Sequence, residues 1–192
     1  MAHIRRCTGG CAGGGQIVTM DGVPHQIPKI GWDLIIAHPP CTYLSNAGAC
    51  RLYPSKGQID YKRFSDGLKA KAFFMYFYLY GFFNVGRIVI ENPVPSKVYE
   101  MPGYTQIVQP YEYGDPFSKK TLLWEFGVPK LNPTNILNEY KPLVSCGTSA
   151  NKGNPDKAGV SRAGGASKAR SKFSPGIAAA MAEQWGCLND FS

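Results

Sequence analysis

Apolar residues are concentrated in two short runs near the middle of the chain. The first covers residues 32–37 (WDLIIA) and stops before Pro39 and Pro40, and the second covers residues 87–90 (RIVI) and is followed by Pro93. Runs of this length are typical of buried strands, and they end where proline can no longer donate to a strand ladder. The pattern therefore predicts two buried strands.

Between these runs, apolar positions recur at helical spacing over residues 60–80. The apolar positions are Phe64, Leu68, Ala72, Met75 and Leu79, and the polar positions of the first turns are Lys62, Asp66 and Lys69. This spacing predicts an amphipathic helix, and we expect the aromatic run at residues 73–83 to pack against a sheet. A strand, a helix and a strand in this order predict a βαβ unit with parallel strands and a right-handed crossover.

Weaker strand patterns lie at residues 105–109 and 121–126. Near the C-terminus, Ser174 and Pro175 have the pattern of an N-cap followed by proline at the first helical position, and Gly186 has that of a helix end. The apolar repeat between them consists of Ile177, Met181 and Trp185. The sequence thus predicts the α/β class, with a mostly parallel sheet and flanking helices.

Composition divides the chain into four regions. Residues 1–30 are predicted to form a flexible, glycine-rich segment with a short strand, and residues 31–144 an α/β core of catalytic type. Residues 145–173 contain Gly, Ser, Ala, Lys and Arg with few large apolar residues, which predicts a long basic loop. Residues 174–192 are predicted to form a helix that returns to the core.

The 192 residues include 21 Lys and Arg against 13 Asp and Glu, a formal net charge of +8. This basic balance favours a polyanionic partner such as nucleic acid. No apolar run reaches the roughly 18 to 20 residues that a membrane helix needs, and the N-terminus has no signal-peptide pattern. We therefore expect a cytoplasmic protein whose six cysteines are reduced thiols.

Chemically reactive side chains follow both predicted strands. Residues 38–45 (HPPCTYLS) come after the first strand, and Glu91 and Asn92 come after the second. Ligands of open α/β sheets bind at the carboxyl ends of the strands, and parallel strands have these ends at one edge. We therefore expect Cys41 and Glu91 to face one cleft.

A thiol opposite a carboxyl group suits the covalent activation of a pyrimidine ring. The thiolate adds to C6 of cytosine while the acid engages N3 and the exocyclic amine, so that C5 can attack an electrophilic methyl group. Pro39 and Pro40 form a rigid turn that aims the sulfur of Cys41 at a flipped-out base. We expect His38 or Arg51 to help keep the thiol ionised.

These motifs resemble those of DNA cytosine-5 methyltransferases. The segment HPPCTYLS is similar to the family's Pro-Cys motif, and Glu91-Asn92 is similar to its Glu-Asn-Val motif, with Pro93 in place of valine. More closely, residues 30–130 and the final helix resemble small methyltransferase-like proteins of phages and prophages. The resemblance implies an incomplete Rossmann-like sheet of the methyltransferase type, S-adenosylmethionine as methyl donor, DNA as partner and, for a phage-encoded protein, the cytoplasm of a bacterial host.

The resemblance also implies roles for individual residues. Cys41 would be the nucleophile and Glu91 the acid that contacts cytosine. Substrate contacts are expected from Pro39, Pro40, Ser45, Asn92, Lys119 and Lys120; the two lysines and Ser118 stand where the family has a basic Gln-Arg-Arg-type motif. In the basic loop, the positive charges predict DNA phosphate contacts by Lys168, Arg170 and Lys172.

The N-terminal part departs from the family pattern. The family opens with a hydrophobic strand, a glycine-containing loop and an acidic residue that holds the ribose of S-adenosylmethionine, whereas the glycine run at residues 9–15 has no apolar strand ahead of it. Two functions stay open at this point. One is DNA cytosine-5 methylation; the other is an inactive DNA-binding remnant, or one half of a split enzyme whose cofactor half is a separate chain.

Three further alternatives fit the residues less well. Amino-group methyltransferases have an aromatic residue where Cys41 stands, and the PCxxC signature of zinc deaminases is absent. Cys7 and Cys11 lack the CxxC spacing of common structural zinc sites, so no metal is predicted.

Overall fold

The computed structural model of this chain describes residues 3–4, 16–18, 24–26, 34–49, 51–55, 57–83, 86–142 and 173–186, the first three ranges by their backbone alone. The strands are β1 (His3–Ile4), β2 (Gln16–Val18), β3 (Pro24–Gln26), β4 (Ile35–Ala37), β5 (Ile88–Pro93), β6 (Gln106–Val108), β7 (Phe117–Ser118), β8 (Thr121–Phe126) and β9 (Lys141–Pro142). The helices are α1 (Asn46–Ala49), α2 (Tyr61–Phe83) and α3 (Pro175–Trp185), with 3-10 turns at Lys97–Tyr99 and Pro110–Glu112.

The central sheet has the strand order β1-β4-β5-β8-β6. β4 and β5 are parallel, with Ala37 opposite Ile90, and α2 connects them, so the predicted βαβ unit is present. The pairs β1 with β4, β5 with β8, and β6 with β8 are antiparallel. The α/β class is therefore confirmed, and the sheet predicted to be mostly parallel is a mixed one.

The mixed pairing follows from the connections between the strands. A parallel connection needs a crossover of a dozen or more residues, usually a helix. Within the described residues, such a helix joins β4 to β5, whereas the segment from β6 to β8 contains a 3-10 turn and the two-residue strand β7. That segment reverses the chain, so β8 runs against both of its neighbours.

Helices cover the sheet on both faces. On one face, Ile90 and Trp124 pack against Phe74 of α2. On the other face, Val89 and Leu123 belong to one apolar cluster with α3. Successive strand residues thus alternate between the two faces, as the period of a strand requires, and the described core has three layers.

The C-terminal helix begins and ends as predicted. The hydroxyl of Ser174 accepts a hydrogen bond from the backbone N–H of Ile177 at 3.2 Å, and Pro175 is the first helical residue. Trp185 closes the helix and is buried, and its indole N–H donates to the carbonyl of Pro129 at 3.0 Å. This anchors the helix to the segment that follows β8.

The buried face of α2 is the predicted one only in part: Phe64 and Met75 of the predicted stripe pack against the core. Gly67, Phe74 and Gly81 are buried, whereas Leu68 and Leu79 of the predicted apolar stripe are 47% and 45% exposed. Glycine adds nothing to an apolar repeat, yet it lets the helix backbone approach the sheet closely. Because α2 carries aromatic residues on all sides, its apolar repeat does not decide which side is buried.

Gly81→Ala should destabilise the fold, because α2 lies too close to the sheet for a Cβ atom at this position. A Cβ atom built there would lie 2.2 Å from Cγ2 of Ile88 and 2.7 Å from a ring carbon of Phe126. Overpacking costs about 1–3 kcal/mol, against the roughly 1 kcal/mol by which alanine is the better helix former. We expect urea denaturation to give a free energy of unfolding that is lower by up to about 2 kcal/mol.

Gly86→Ala is the matched control, since no atom lies within 4 Å of a Cβ atom built at Gly86. This variant should unfold within about 0.5 kcal/mol of the parent. A Gly81→Ala variant more stable than the parent by about 1 kcal/mol, the gain expected for an uncrowded helix position, would contradict the close approach of α2 to the sheet.

The first strands lie outside the βαβ unit. β1 pairs with β4 at the edge of the central sheet, and β2 and β3 form an antiparallel pair of their own. The predicted boundaries of the four regions stay predictions, and residues 143–172, most of the predicted basic loop, lie outside the described residues. No helix in the described ranges combines the length and apolarity needed to cross a membrane.

Candidate active site

The parallel pairing of β4 and β5 brings His38 and Glu91 together. Ala37 lies opposite Ile90, so the next residue of each strand shares the same position in the register. Nδ1 of His38 is 2.9 Å from Oε2 of Glu91, within hydrogen-bond distance. Their side chains are 15% and 10% exposed. The carboxyl edge of the sheet therefore holds a mostly buried imidazole–carboxyl pair.

Cys41 is a half-buried free thiol. The charged groups that influence the pKa of this thiol are Glu91 and Lys119. Burial is the largest influence and raises the pKa of the thiol; the charge of Glu91 raises the pKa further, and that of Lys119 lowers it. The net effect is a raised pKa, so the thiol is protonated at neutral pH. The positive charge that lowers the pKa of the thiol is that of Lys119, and burial outweighs it; the expected help from His38 or Arg51 in ionising the thiol stays a prediction.

Asn92 holds the turn that carries the thiol. Its side chain is buried, and Nδ2 donates a hydrogen bond to the carbonyl of Pro39 at 3.0 Å. Oδ1 of Asn92 is buried without a hydrogen-bond partner. The residue after Glu91 thus positions the Pro-Pro-Cys turn, whereas the sequence assigned it a substrate contact, which stays a prediction.

The segment after the thiol is fastened to the segment after β5. The N–H of Asn46 donates to the carbonyl of Val94 at 2.9 Å, and the N–H of Ser96 donates to the carbonyl of Leu44 at 2.7 Å. Between them, Ser45 is buried, and its hydroxyl accepts from a backbone N–H of α1 at 3.2 Å. The structure gives Ser45 a capping role here, and its predicted substrate contact stays a prediction.

Arg63 of α2 supports the same turn, a role that the sequence did not predict. Its Nη2 donates to the carbonyls of Thr42 and Gly48 at 3.3 and 3.1 Å, and its guanidinium lies 5.0 Å from the ring centre of Tyr43. The turn is tight here, because a Cβ atom at Gly48 would lie 2.2 Å from the carbonyl oxygen of Thr42. Local spacing gives no signal for these contacts, which depend on how α2 lies across the sheet.

Phe173 reaches the site from the far end of the chain. Its ring contacts that of His38 edge to face, with 4.6 Å between ring centres. The contact covers the imidazole that pairs with Glu91. No feature of the sequence pointed to Phe173, because its contact is made across the folded chain.

One residue of the predicted basic motif, Lys119, acts on the thiol of Cys41. The first residue of β8, Thr121, pairs with Pro93 at the end of β5, so Lys119 and Lys120 precede β8 at the edge that carries Cys41. Lys119 is half-buried and acts on the thiol, and Lys120 is exposed.

Several predicted residues lie outside the described part of the chain. They are Lys168, Arg170, Lys172, Cys7 and Cys11. Among the residues that the structure describes, no group of three or more His, Cys, Asp or Glu side chains could hold a metal ion.

Lys119→Ala should slow the alkylation of Cys41. Removing this positive charge raises the pKa of the thiol further, which lowers the thiolate fraction at a given pH below that pKa. Because a less acidic thiol is intrinsically more nucleophilic, the net decrease should be about two- to fivefold. The rate is measured with iodoacetamide near pH 8, by mass spectrometry of the peptide that contains Cys41.

Lys120→Ala is the matched control for this measurement, because the neighbouring lysine is exposed. It should react like the parent, and Lys119→Arg should restore the parent rate. Equal slowing by Lys119→Ala and Lys120→Ala would contradict a specific effect of the Lys119 charge on the thiol.

Comparison with known proteins adds no relative: no protein-family model matches the chain, and no curated protein matches it. The geometry at the carboxyl edge of β4 and β5 is therefore what supports a function.

Proposed function

We propose that this chain is a DNA cytosine-5 methyltransferase-like protein that attacks cytosine through Cys41. The observation that carries the proposal is that Cys41, Glu91 and Lys119 lie at one edge of the sheet, where His38 is hydrogen-bonded to Glu91 and both charges act on the thiol. A nucleophile, a carboxyl group and a cation are the groups that addition to a pyrimidine requires. The resemblance of HPPCTYLS and Glu91-Asn92 to the family's motifs supports the same chemistry.

The step that these residues support is a reversible addition. The thiol of Cys41 first gives its proton to the Glu91 carboxylate, through solvent. The resulting thiolate forms a bond to C6; the C5=C6 electron pair moves towards C4, and the C4=N3 pair takes up the proton at N3 from the carboxyl group of Glu91. The adduct is then an enamine whose C5 is nucleophilic, and the reverse steps release the thiolate and return the proton.

The positions of the neighbouring groups fit this addition. Lys119 carries the positive charge that lowers the pKa of the thiol. His38, 2.9 Å from Glu91, can hold the carboxyl group in place and exchange a proton with it. Asn92 and Arg63 fix the turn from two sides, so little conformational entropy is lost when the sulfur attacks.

The described residues do not fit a site for S-adenosylmethionine of the family type. The methyl donor would supply an electrophilic methyl group to C5, held by a strand, a glycine loop and an acidic residue beside β4. In this structure β1 occupies the position beside β4, with His3 opposite Ile36. Because β1 is antiparallel to β4, its amino end lies at the edge of the sheet that carries Cys41. A site for the donor would therefore have to be formed by other residues or by a separate chain.

The position of β1 specifically favours the second candidate function. This is a DNA-binding remnant without methyl transfer, or one half of a split methyltransferase. The net charge of +8 supports DNA as the partner of either candidate. An incomplete Rossmann-like sheet also stays part of the proposal, supported by β4, β5 and β6 running in one direction; for a phage-encoded chain, the bacterial cytoplasm is the proposed compartment.

Hydrogen exchange at C5 tests the proposal without the methyl donor. The enamine takes up a solvent proton at C5 and loses the original one when the thiolate leaves, so DNA tritiated at C5 of cytosine releases tritium. The folded chain should release tritium above the level without protein. No release with DNA that the chain binds would reject covalent attack and leave the DNA-binding remnant.

Calorimetry then separates an enzyme from a half enzyme. Micromolar affinity for S-adenosylmethionine or S-adenosylhomocysteine would support a donor site within this chain. Exchange without such binding would support the split enzyme. Salt-sensitive DNA binding with neither activity would support the remnant.

A further inference from the structure

The side of α2 that faces away from the sheet is apolar along most of its length. Its exposed large side chains, here called the α2 outer face, are Tyr61, Leu68, Phe73, Tyr76, Leu79, Tyr80, Phe82 and Phe83, with Phe73 and Phe82 at the two borders. Leu68, Ala72, Tyr76, Leu79 and Phe83 are spaced by four, four, three and four residues. This is the spacing of one continuous helix face.

The α2 outer face is larger than an ordinary exposed patch. Tyr61, Tyr76 and Phe83 are 78%, 67% and 75% exposed, and Leu68 and Leu79 are 47% and 45% exposed. With roughly 200 Å² for each aromatic side chain, the face exposes on the order of 700 Å². The largest apolar patch of a monomer is typically about 300–600 Å², and a stable interface buries about 800 Å² on each partner.

We propose that the α2 outer face binds the same face of a second copy of this chain, with the two α2 helices antiparallel. The exposed area is about what one partner of a stable dimer contributes. A two-fold axis lets a single apolar face serve both copies, because the interface is self-complementary. The proposal is independent of the chemistry proposed at Cys41, which lies at the edge of the sheet.

The charges of α2 favour the antiparallel orientation. Lys62 and Lys69 are highly exposed in the first half of α2, whereas residues 72–83 contain no charged side chain. In a parallel pair of helices, each lysine would lie beside the same, equally charged lysine of the second copy. Antiparallel helices place Lys69 beside the aromatic end of the second copy, near Phe83, where an ammonium group is attracted to an aromatic face.

Light scattering after gel filtration tests the dimer with the full chain. The parent should have twice the 21.0 kDa of one chain at micromolar concentration. Tyr76→Glu and Leu79→Glu each place a charge in the apolar interface and should weaken association at least tenfold. Ile136→Glu is the matched control, because Ile136 is 63% exposed elsewhere on the surface and its variant should stay dimeric.

A monomeric parent would overturn the proposal, whatever else the face binds, and so would dimers in both glutamate variants. Circular dichroism identifies variants that fail to fold. In that case, cysteine cross-linking on a folded chain replaces them. Leu68→Cys mixed with Phe83→Cys should form a disulfide-linked dimer above the parent background, whereas cross-linking of Leu68→Cys with itself would overturn the antiparallel arrangement.

Discussion

Cys41→Ser should lower tritium release from C5 of cytosine by at least about 10³-fold, to the level without protein. The serine hydroxyl is a weak nucleophile without a general base to ionise it, so no bond to C6 forms. The substitution replaces one atom at a half-buried position, and DNA binding and thermal unfolding should stay close to those of the parent. The measurement compares tritium release at equal occupancy of the DNA.

Cys146→Ser is the control for a general effect of losing a thiol. In the sequence, Cys146 belongs to neither of the segments that directly follow the two site strands. It should release tritium like the parent. Release by Cys41→Ser at more than a tenth of the parent rate would show that another group attacks cytosine, and the proposed role of Cys41 would be wrong.

The placement of Cys41 and Glu91 at one edge of the sheet follows from the apolar pattern of the two strands and from one rule of topology. Two apolar runs joined by a helix predict parallel strands, and parallel strands end at one edge. The register Ala37 to Ile90 then sets His38 beside Glu91. This part of the site could be predicted because it depends on the order of elements rather than on side-chain packing.

The rest of the site depends on contacts between distant segments. Phe173 reaches His38, and Arg63 reaches the turn after Cys41, only after the helices have docked. Burial also reversed the expected effect on the thiol: a nearby positive charge lowers its pKa, but loss of solvent raises it more. A sequence shows which charges are near in the chain and does not show how much water a side chain loses.

The orientation of α2 shows the same limit for the fold. Its helical spacing was predicted. Of the predicted buried stripe, Phe64 and Met75 do pack against the core, whereas the centre of the buried face contains two glycines, Gly67 and Gly81, in place of larger side chains. A Cβ atom at Gly67 would lie 2.1 Å from the hydroxyl oxygen of Tyr99. The close approach depends on the shapes of both α2 and the surface on which it packs, whereas the apolar repeat in the sequence describes α2 alone.

Glu91→Gln should change two reactions of the protein in opposite directions. Removing the carboxylate charge lowers the pKa of the Cys41 thiol, since the charge of Glu91 raises it in the parent. More thiolate is then present at a given pH, and alkylation by iodoacetamide should accelerate by about two- to fivefold. Tritium release from C5 should fall by about 10²- to 10⁴-fold, because an amide cannot give N3 a proton.

The opposite signs separate catalysis at cytosine from a general disturbance of the site. A loosened turn would also expose the thiol and slow exchange, but it would lower the free energy of unfolding. Glutamine at position 91 stays within hydrogen-bond distance of His38, so Glu91→Gln should keep the free energy of unfolding of the parent. Glu91→Asp keeps an acid on a shorter side chain and should recover part of the exchange without the faster alkylation. If Glu91→Gln exchanged tritium as fast as the parent, Glu91 would not be the acid at N3. If alkylation slowed instead, its charge would not act on the thiol as the buried geometry requires.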